Sequence, residues 1–113
     1  MVRKLSILQA NLNKQPGAQA ALHNDEDIKD ITAILGQEPS CFRADSTVVV
    51  LGGGTKWTTF IPTATIESVY PVRSCLWLDR GVKAEQIAVP TADVTAVVMH
   101  IRKRRILLAS VYI

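Results

Sequence analysis

The chain has few cysteines and histidines and no long apolar run, so the features that build disulfide frameworks, zinc sites and membrane spans are lacking. Its two cysteines, Cys41 and Cys75, lie far apart in 113 residues and form no Cys-x-x-Cys pair, so neither a disulfide framework nor a zinc site is expected. No apolar run approaches transmembrane length. Gln9 and Asn11 interrupt the apolar residues that follow the basic start, so no signal-peptide core forms. These absences predict an intracellular protein, cytoplasmic or nuclear, with reduced thiols and no membrane contact.

The composition predicts one folded domain over residues 1–113. Hydrophobic residues make up 48% of the chain, which argues against disorder. A chain of this length can bury about two-thirds of its unfolded surface, so a real core is expected. The formal net charge of +3 at pH 7 is mildly basic. Such a charge allows a nucleic acid as a partner but does not require one.

A strand, a helix and a second strand are predicted at the start of the chain. Residues 5–12 alternate in the manner of a strand, strong helix formers fill residues 18–23 behind Pro16, and residues 31–36 form a short apolar run. This order predicts an α/β unit, and a helical connection allows its two strands to be parallel.

Three polar side chains stand at or just after predicted strand ends. Pro39 cannot donate to a sheet ladder and ends the second strand, which leaves Glu38 at its mouth. If the first two strands are parallel, Asn11 and Glu38 end at the same sheet edge. Carboxylate and amide oxygens suit Mg²⁺, and the Tyr112 hydroxyl could bond a phosphate oxygen. These positions make a phosphoryl-transfer site plausible, although a solvated Glu38 beside a turn is the simpler alternative.

The middle of the chain is predicted to contain more strands than helices. The strands expected there are residues 47–51, 73–78 and 87–89, after a polar loop over residues 40–46. Residues 52–54 are three glycines, which we interpret as a turn because no Lys-Ser/Thr follows to complete a P-loop. Trp57, Phe60 and Tyr70 could stack on bases, but core packing is the favoured alternative.

Two strong strands with a basic connection close the chain. Residues 94–101 and 106–113 are predicted to form a β-hairpin whose tip carries Lys103, Arg104 and Arg105. The tip residues are candidates for contact with the phosphate backbone of a nucleic acid. The favoured alternative is a solvated turn that also discourages edge-to-edge aggregation.

The order and spacing of these segments resemble a known family over the whole chain. Residues 5–13 match a first strand with its Asn, residues 34–39 look like a Gln-Glu-Pro metal motif, and residues 93–97 and 110–113 look like a later strand pair ending in Asn-Val-Tyr. The chain therefore resembles the N-terminal half of the endonuclease/exonuclease/phosphatase superfamily. Within it, the resemblance is strongest to the endonuclease domains of non-LTR (LINE-like) retrotransposons.

The resemblance implies a fold and a chemistry. The fold would be α/β (α+β), half of a four-layered αββα sandwich, with a mixed sheet and a C-terminal β-hairpin. The activity would be Mg²⁺-dependent cleavage of DNA, in which Glu38 binds the metal, Asn11 helps to position metal or phosphate, and Tyr112 contacts the scissile phosphate. In that family, the metal stabilises charge on the phosphate oxygens while water attacks.

The resemblance also predicts a truncated domain. The family activates water with an Asp-x-Asn motif and a terminal Asp-His pair, and the sequence stops at Ile113 before both; His23 and His100 do not look like substitutes. Half a sandwich would expose an apolar sheet face and an unpaired last strand, so we expect a homodimer. The domain would be weakly active or inactive alone. The alternatives are a non-catalytic dimerising binding module and, less favoured by the Gln-Glu-Pro variant, a phosphatase.

Overall fold

The computed structural model describes residues 5–45, 47–50, 52, 54–64 and 72–113. Its elements are one α-helix, a short 3₁₀ helix at Glu26–Ile28 and nine strands. Their bounds are α1 Pro16–His23, β1 Ile7–Asn11, β2 Ala33–Gln37, β3 Cys41–Ala44, β4 Thr47–Val50, β5 Trp57–Phe60, β6 Ser74–Asp79, β7 Lys83–Ile87, β8 Val94–Ile101 and β9 Arg104–Val111. No helix in this part of the chain is long and apolar enough to cross a membrane.

The strands form two sheets and a separate hairpin. Sheet 1 has the order β1-β2-β6-β5, in which β1 and β2 are parallel and the other neighbours are antiparallel. Sheet 2 has the order β7-β8-β9 and is antiparallel throughout. Strands β3 and β4 pair only with each other within the described residues. The predicted mixed sheet and C-terminal β-hairpin are both confirmed.

Side chains on the two faces of sheet 1 enter different hydrophobic cores. Because successive residues of a strand point to opposite faces, Ile34 and Trp77 pack with Leu22 of α1 and Val50 of β4. The alternate residues of β2 and β6 pack instead against sheet 2. This second core contains Ala33, Leu76, Leu78, Val97, Met99 and Leu108. The layers are therefore the helix with the β3–β4 hairpin, then sheet 1, then sheet 2.

The structure corrects three predictions about elements. Residues 40–46 are not a polar loop, because Cys41–Ala44 pairs with β4. The strand expected at residues 87–89 lies earlier, at Lys83–Ile87, where alternate polar residues face solvent. The hairpin turn consists of residues 102 and 103 alone, since Ile101 pairs with Arg104, so Arg104 and Arg105 belong to β9.

Two of the three aromatic residues considered for stacking on bases pack against the hydrophobic cores. Trp57 is 3% exposed and belongs to the first core, which confirms core packing and leaves no face for a base. Phe60 is partly buried against the second core. Tyr70 lies outside the described residues.

The expected exposure of an apolar sheet face is only partly correct. The inner residues Leu76 and Leu78 of sheet 1 are fully buried beneath sheet 2. Strand β1 is the exception, since Ile7 remains 43% exposed. Strand β9 has β8 as its one partner among the described strands, and its side chains Leu107 and Val111 are 66% and 42% exposed. Apolar surface thus lies along β1 and β9.

A buried histidine makes stability depend on pH. The ring of His23 meets Trp77 edge-on with centroids 4.5 Å apart, and neither ring nitrogen has a hydrogen-bond partner. Burial lowers the pKa of His23 below its ordinary value, so the unfolded chain takes up a proton more readily. Stability should therefore be complete above about pH 6.5 and be lost as the pH falls below it. Urea unfolding at a series of pH values checks this.

Two variants of α1 separate this effect from general acid destabilisation. His23→Phe should remove most of the loss of stability between about pH 7 and about pH 5. Leu22→Val is the control, because it alters packing against the same core without changing a titratable group, and it should keep the wild-type dependence. An unchanged dependence in His23→Phe would show that other groups cause it.

Candidate functional site

Strands β1 and β2 bring the first two predicted site residues to one sheet edge. Their parallel register pairs Asn11 with Gln37, and Glu38 follows directly. The Leu12 backbone N–H donates to the Gln37 carbonyl oxygen at 2.9 Å, which continues the pairing past the end of β1. Because β1 and β2 both end at this point, the polar residues Asn11 and Glu38 lie at the same edge of the sheet.

Three residues at this sheet edge have positive φ angles, a backbone conformation that residues other than glycine rarely adopt. Asn13, Lys14 and Glu38 have φ angles of 50°, 57° and 49°. The Lys14 N–H donates to the Glu38 carbonyl oxygen and the Glu38 N–H to the Arg73 carbonyl oxygen, both at 2.8 Å. The Asn11 side-chain oxygen accepts from the Asn13 N–H at 3.0 Å. Such conformations cost about 1–3 kcal/mol each and cluster at functional sites.

Tyr112 follows β9 and reaches across from sheet 2 to Glu38. Hydrogen bonding to the Glu38 carboxylate, and then the negative charge of Glu38, raise the pKa of the Tyr112 hydroxyl above its ordinary value. The two side chains come from different sheets, so the packing of the sheets sets their contact.

Arg73 and Asp93 extend the group, and sequence reasoning assigned no role to Arg73. Arg73 precedes β6, and its guanidinium lies 3.4 Å from the carboxylate of Asp93 and 5.7 Å from the ring centre of Tyr112. The Tyr112 N–H donates to the Asp93 carbonyl oxygen at 2.8 Å. Asn11, Glu38, Arg73, Asp93 and Tyr112 are called the site cluster below.

A cleft adjoins part of the site cluster. It has a volume of about 380 Å³, and Asn11 and Tyr112 are the members of the site cluster that line it. The side chains of Arg73 and Asp93 are each about two-fifths exposed. A solute can therefore reach these four residues, and the site cluster as a whole contains one cation, two carboxylates, an amide and a phenol.

The predicted nucleic-acid contacts are not part of this site. Lys103, Arg104 and Arg105 are exposed and lie at the opposite end of β9 from Tyr112. A strand rises about 3.3 Å per residue, so about 25 Å separates the two groups. The structure thus brings together the predicted Asn11, Glu38 and Tyr112 but not the basic tip.

The oxygen atoms of Glu38 and Asn11 fit Mg²⁺ better than zinc. No group of three or more His, Cys, Asp or Glu side chains that could hold a metal is found within the described residues. A zinc site, with four or three such ligands, does not fit. Mg²⁺ keeps several waters and uses one or two carboxylates. Glu38 and the Asn11 amide oxygen therefore suit Mg²⁺.

Comparisons with known proteins give a structural match without a sequence match. No family model matches the chain, and no curated protein matches it. Among solved structures, the chain is similar to the endonuclease domain of TRAS1, a telomere-specific non-LTR retrotransposon, with a TM-score of 0.71 and 24% sequence identity. The match covers 97% of this chain and 45% of that one. The chain therefore has the predicted fold, that of an endonuclease domain from a non-LTR retrotransposon, over slightly less than half of that domain's length.

Proposed function

We propose that the chain carries part of a Mg²⁺-dependent endonuclease site that acts on the phosphodiester bonds of DNA. The observation that supports this most is the placement of three predicted site residues at one sheet edge: Asn11 pairs with Gln37, which directly precedes Glu38, and Asn11 and Tyr112 line one cleft. The same fold belongs to a retrotransposon endonuclease domain. Glu38 and Asn11 would hold Mg²⁺, which when bound stabilises negative charge on the phosphate oxygens.

The remaining side chains of the site cluster would bind and orient the phosphate. Tyr112, whose hydroxyl keeps its proton beside the Glu38 carboxylate, would hold that carboxylate in one orientation. Arg73, which Asp93 fixes in place, supplies a planar cation that can form two parallel hydrogen bonds to a phosphate group. Tyr112 and Arg73 would both contribute by holding other groups in place, and such positioning is a main contribution of a protein to phosphoryl transfer.

The described residues hold no clear general base for the attacking water. His23 lies against Trp77 on the other face of sheet 1, and His100 lies in β8, where it pairs with Lys83 and Arg105. Asp93 is close but is paired with Arg73. Cleavage by this chain alone should therefore be slow, and a partner would have to supply the base for faster cleavage.

Nicking of supercoiled plasmid tests the proposal. The chain should nick slowly with Mg²⁺ and stop with EDTA. Asn11→Ala should need more Mg²⁺ for half-maximal nicking because one oxygen ligand is lost. A contaminating nuclease would not respond to that substitution. Absence of nicking by well-folded protein would overturn catalysis by this chain.

The basic tip supports contact with DNA outside the site. Changing Lys103, Arg104 and Arg105 together to Ser should weaken DNA binding and flatten its salt dependence by up to about 3 logarithmic units per unit of log salt. Fluorescence anisotropy of a labelled duplex measures both quantities. Lys29→Ser is the control, because Lys29 is exposed elsewhere and should change neither. An unchanged slope in the triple variant would count against this contact.

A non-catalytic, self-associating module is the second candidate. The free edge of β9 and the exposure of Leu107 and Val111 favour it, since unpaired apolar edge strands recruit further strands. Light scattering at micromolar concentration should give the mass of a dimer, and Leu107→Lys should lower it. A monomeric mass for the unaltered chain would exclude this candidate.

A further inference from the structure

Buried polar side chains join the two sheets directly beneath the site cluster. Gln37 of β2 donates from Nε2 to Ser110 Oγ of β9 at 3.2 Å, and Ser110 Oγ donates to the Gly36 carbonyl oxygen at 3.0 Å. Thr95 Oγ1 of β8 donates to the Ser74 carbonyl oxygen of β6 at 3.2 Å. The two hydroxyls of Ser74 and Thr95 also meet at 3.0 Å.

These hydrogen bonds join polar side chains that are buried beside an apolar cluster. Ser74, Thr95 and Ser110 are fully buried, and Gln37 is 7% exposed. The rest of the interface between the sheets is apolar. Burying a hydroxyl or an amide costs free energy unless it is hydrogen-bonded, and apolar residues would hold the sheets together at least as well. Hydrogen bonds differ in being directional, so they fix the distance and register of the strands that they join.

Each of the four buried residues adjoins a member of the site cluster. Gln37 directly precedes Glu38, and Ser74 directly follows Arg73. Thr95 and Ser110 lie two residues from Asp93, which directly precedes β8, and from Tyr112, which directly follows β9. The polar contacts between the sheets are thus placed at the one end where side chains from both sheets must meet.

We propose that Gln37, Ser74, Thr95 and Ser110 are positioning residues that hold sheet 2 against sheet 1 so that Tyr112 reaches Glu38 and Arg73 reaches Asp93. We call these four residues the inter-sheet lock. Its importance for cleavage rests on the proposed function, but its effect on the geometry of the site cluster does not. Ser110 is the central member, because it accepts from β2 and donates to β2 at once.

Nuclear Overhauser effects between the Tyr112 ring and the Arg73 side chain report whether the inter-sheet lock holds the two sheets in register. Arg73 precedes a strand of sheet 1 and Tyr112 follows a strand of sheet 2, and the Arg73 guanidinium lies 5.7 Å from the Tyr112 ring centre. Ser110→Ala should weaken these effects, because the directional hydrogen bonds between β9 and β2 are lost. Ser110→Thr retains a hydroxyl and should keep them.

Two further variants separate positioning from stability. Leu108→Val removes a methylene from the same strand and interface, so it should lower stability and leave the Tyr112–Arg73 effects unchanged. Gln37→Leu keeps the Ser110 bond to Gly36 and should weaken these effects by less than Ser110→Ala does. Circular dichroism shows that the variants remain folded. Tyr112–Arg73 effects that are the same in Ser110→Ala and the parent would overturn the proposal, whether or not the chain cleaves DNA.

Discussion

A Glu38→Gln variant is expected to lose Mg²⁺-dependent nicking and to lower the pKa of Tyr112. Loss of a partner that only orients a metal ligand costs about 10- to 100-fold in metal affinity or activity, so removing a carboxylate ligand itself should cost at least about 100-fold. The amide of Gln has nearly the shape of the carboxylate, so the fold should persist. Plasmid nicking as a function of Mg²⁺ concentration measures the loss.

Titration of Tyr112 in a Tyr70→Phe background, where the ultraviolet absorbance of tyrosinate follows Tyr112 alone, gives this variant a second readout that does not depend on activity. Hydrogen bonding to the Glu38 carboxylate and its negative charge raise the Tyr112 pKa. Glu38→Gln removes the charge and leaves at most a weaker hydrogen bond to a neutral amide oxygen. The pKa should fall toward about 10. Glu85→Gln is the matched control, because Glu85 is an exposed carboxylate in β7, and it should leave nicking and pKa unchanged. Wild-type nicking by Glu38→Gln would show that Glu38 is not a metal ligand.

The parts of the site that could be predicted from the sequence depend on local pattern. Pro39 marks the end of β2, and a helix between two strands permits their parallel pairing, so Asn11 and Glu38 could be placed at one edge before their contacts were known. The position of Tyr112 near a strand end followed from the two strong strands predicted for the last hairpin. The roles of these residues came from the resemblance and remain proposals.

The parts that could not be predicted depend on packing between distant strands. Arg73 and Asp93 lie in segments that flank β6 and β8, which belong to different sheets, and no local pattern pairs them. The same holds for the contact of Ser110 with Gln37, which are separated by 73 residues. Sheet-on-sheet packing brings both pairs together.

Two strands were misplaced because their residues are not typical of strands. Arg43 interrupts the apolar residues of β3, which forms because β4 supplies β-branched partners such as Val49 opposite Phe42. Strand β7 contains Lys83 and Glu85, which occupy its solvent-exposed face. Strand formation at both places is decided by the neighbouring strand.

The substitution Gly36→Ala is expected to lower the free energy of unfolding by about 2 kcal/mol. A Cβ at this position would lie 2.7 Å from Cys75 Sγ and 2.8 Å from Trp77 Cζ3, closer than carbon atoms approach without displacement. Both neighbours are fully buried. The Trp77 ring cannot retreat easily, since the ring of His23 packs edge-on against it at 4.5 Å. Urea unfolding measures the loss.

Gly17→Ala is the matched control and should change stability in the opposite direction. Gly17 lies in α1, is exposed, and has no atom within 4 Å of the position of an added Cβ. Alanine in a helix is favoured over glycine by about 0.5–1 kcal/mol, so this variant should be slightly more stable than the parent. Equal stability of Gly36→Ala and the parent would mean that Cys75 and Trp77 can move apart. The first core would then be looser than these contacts indicate.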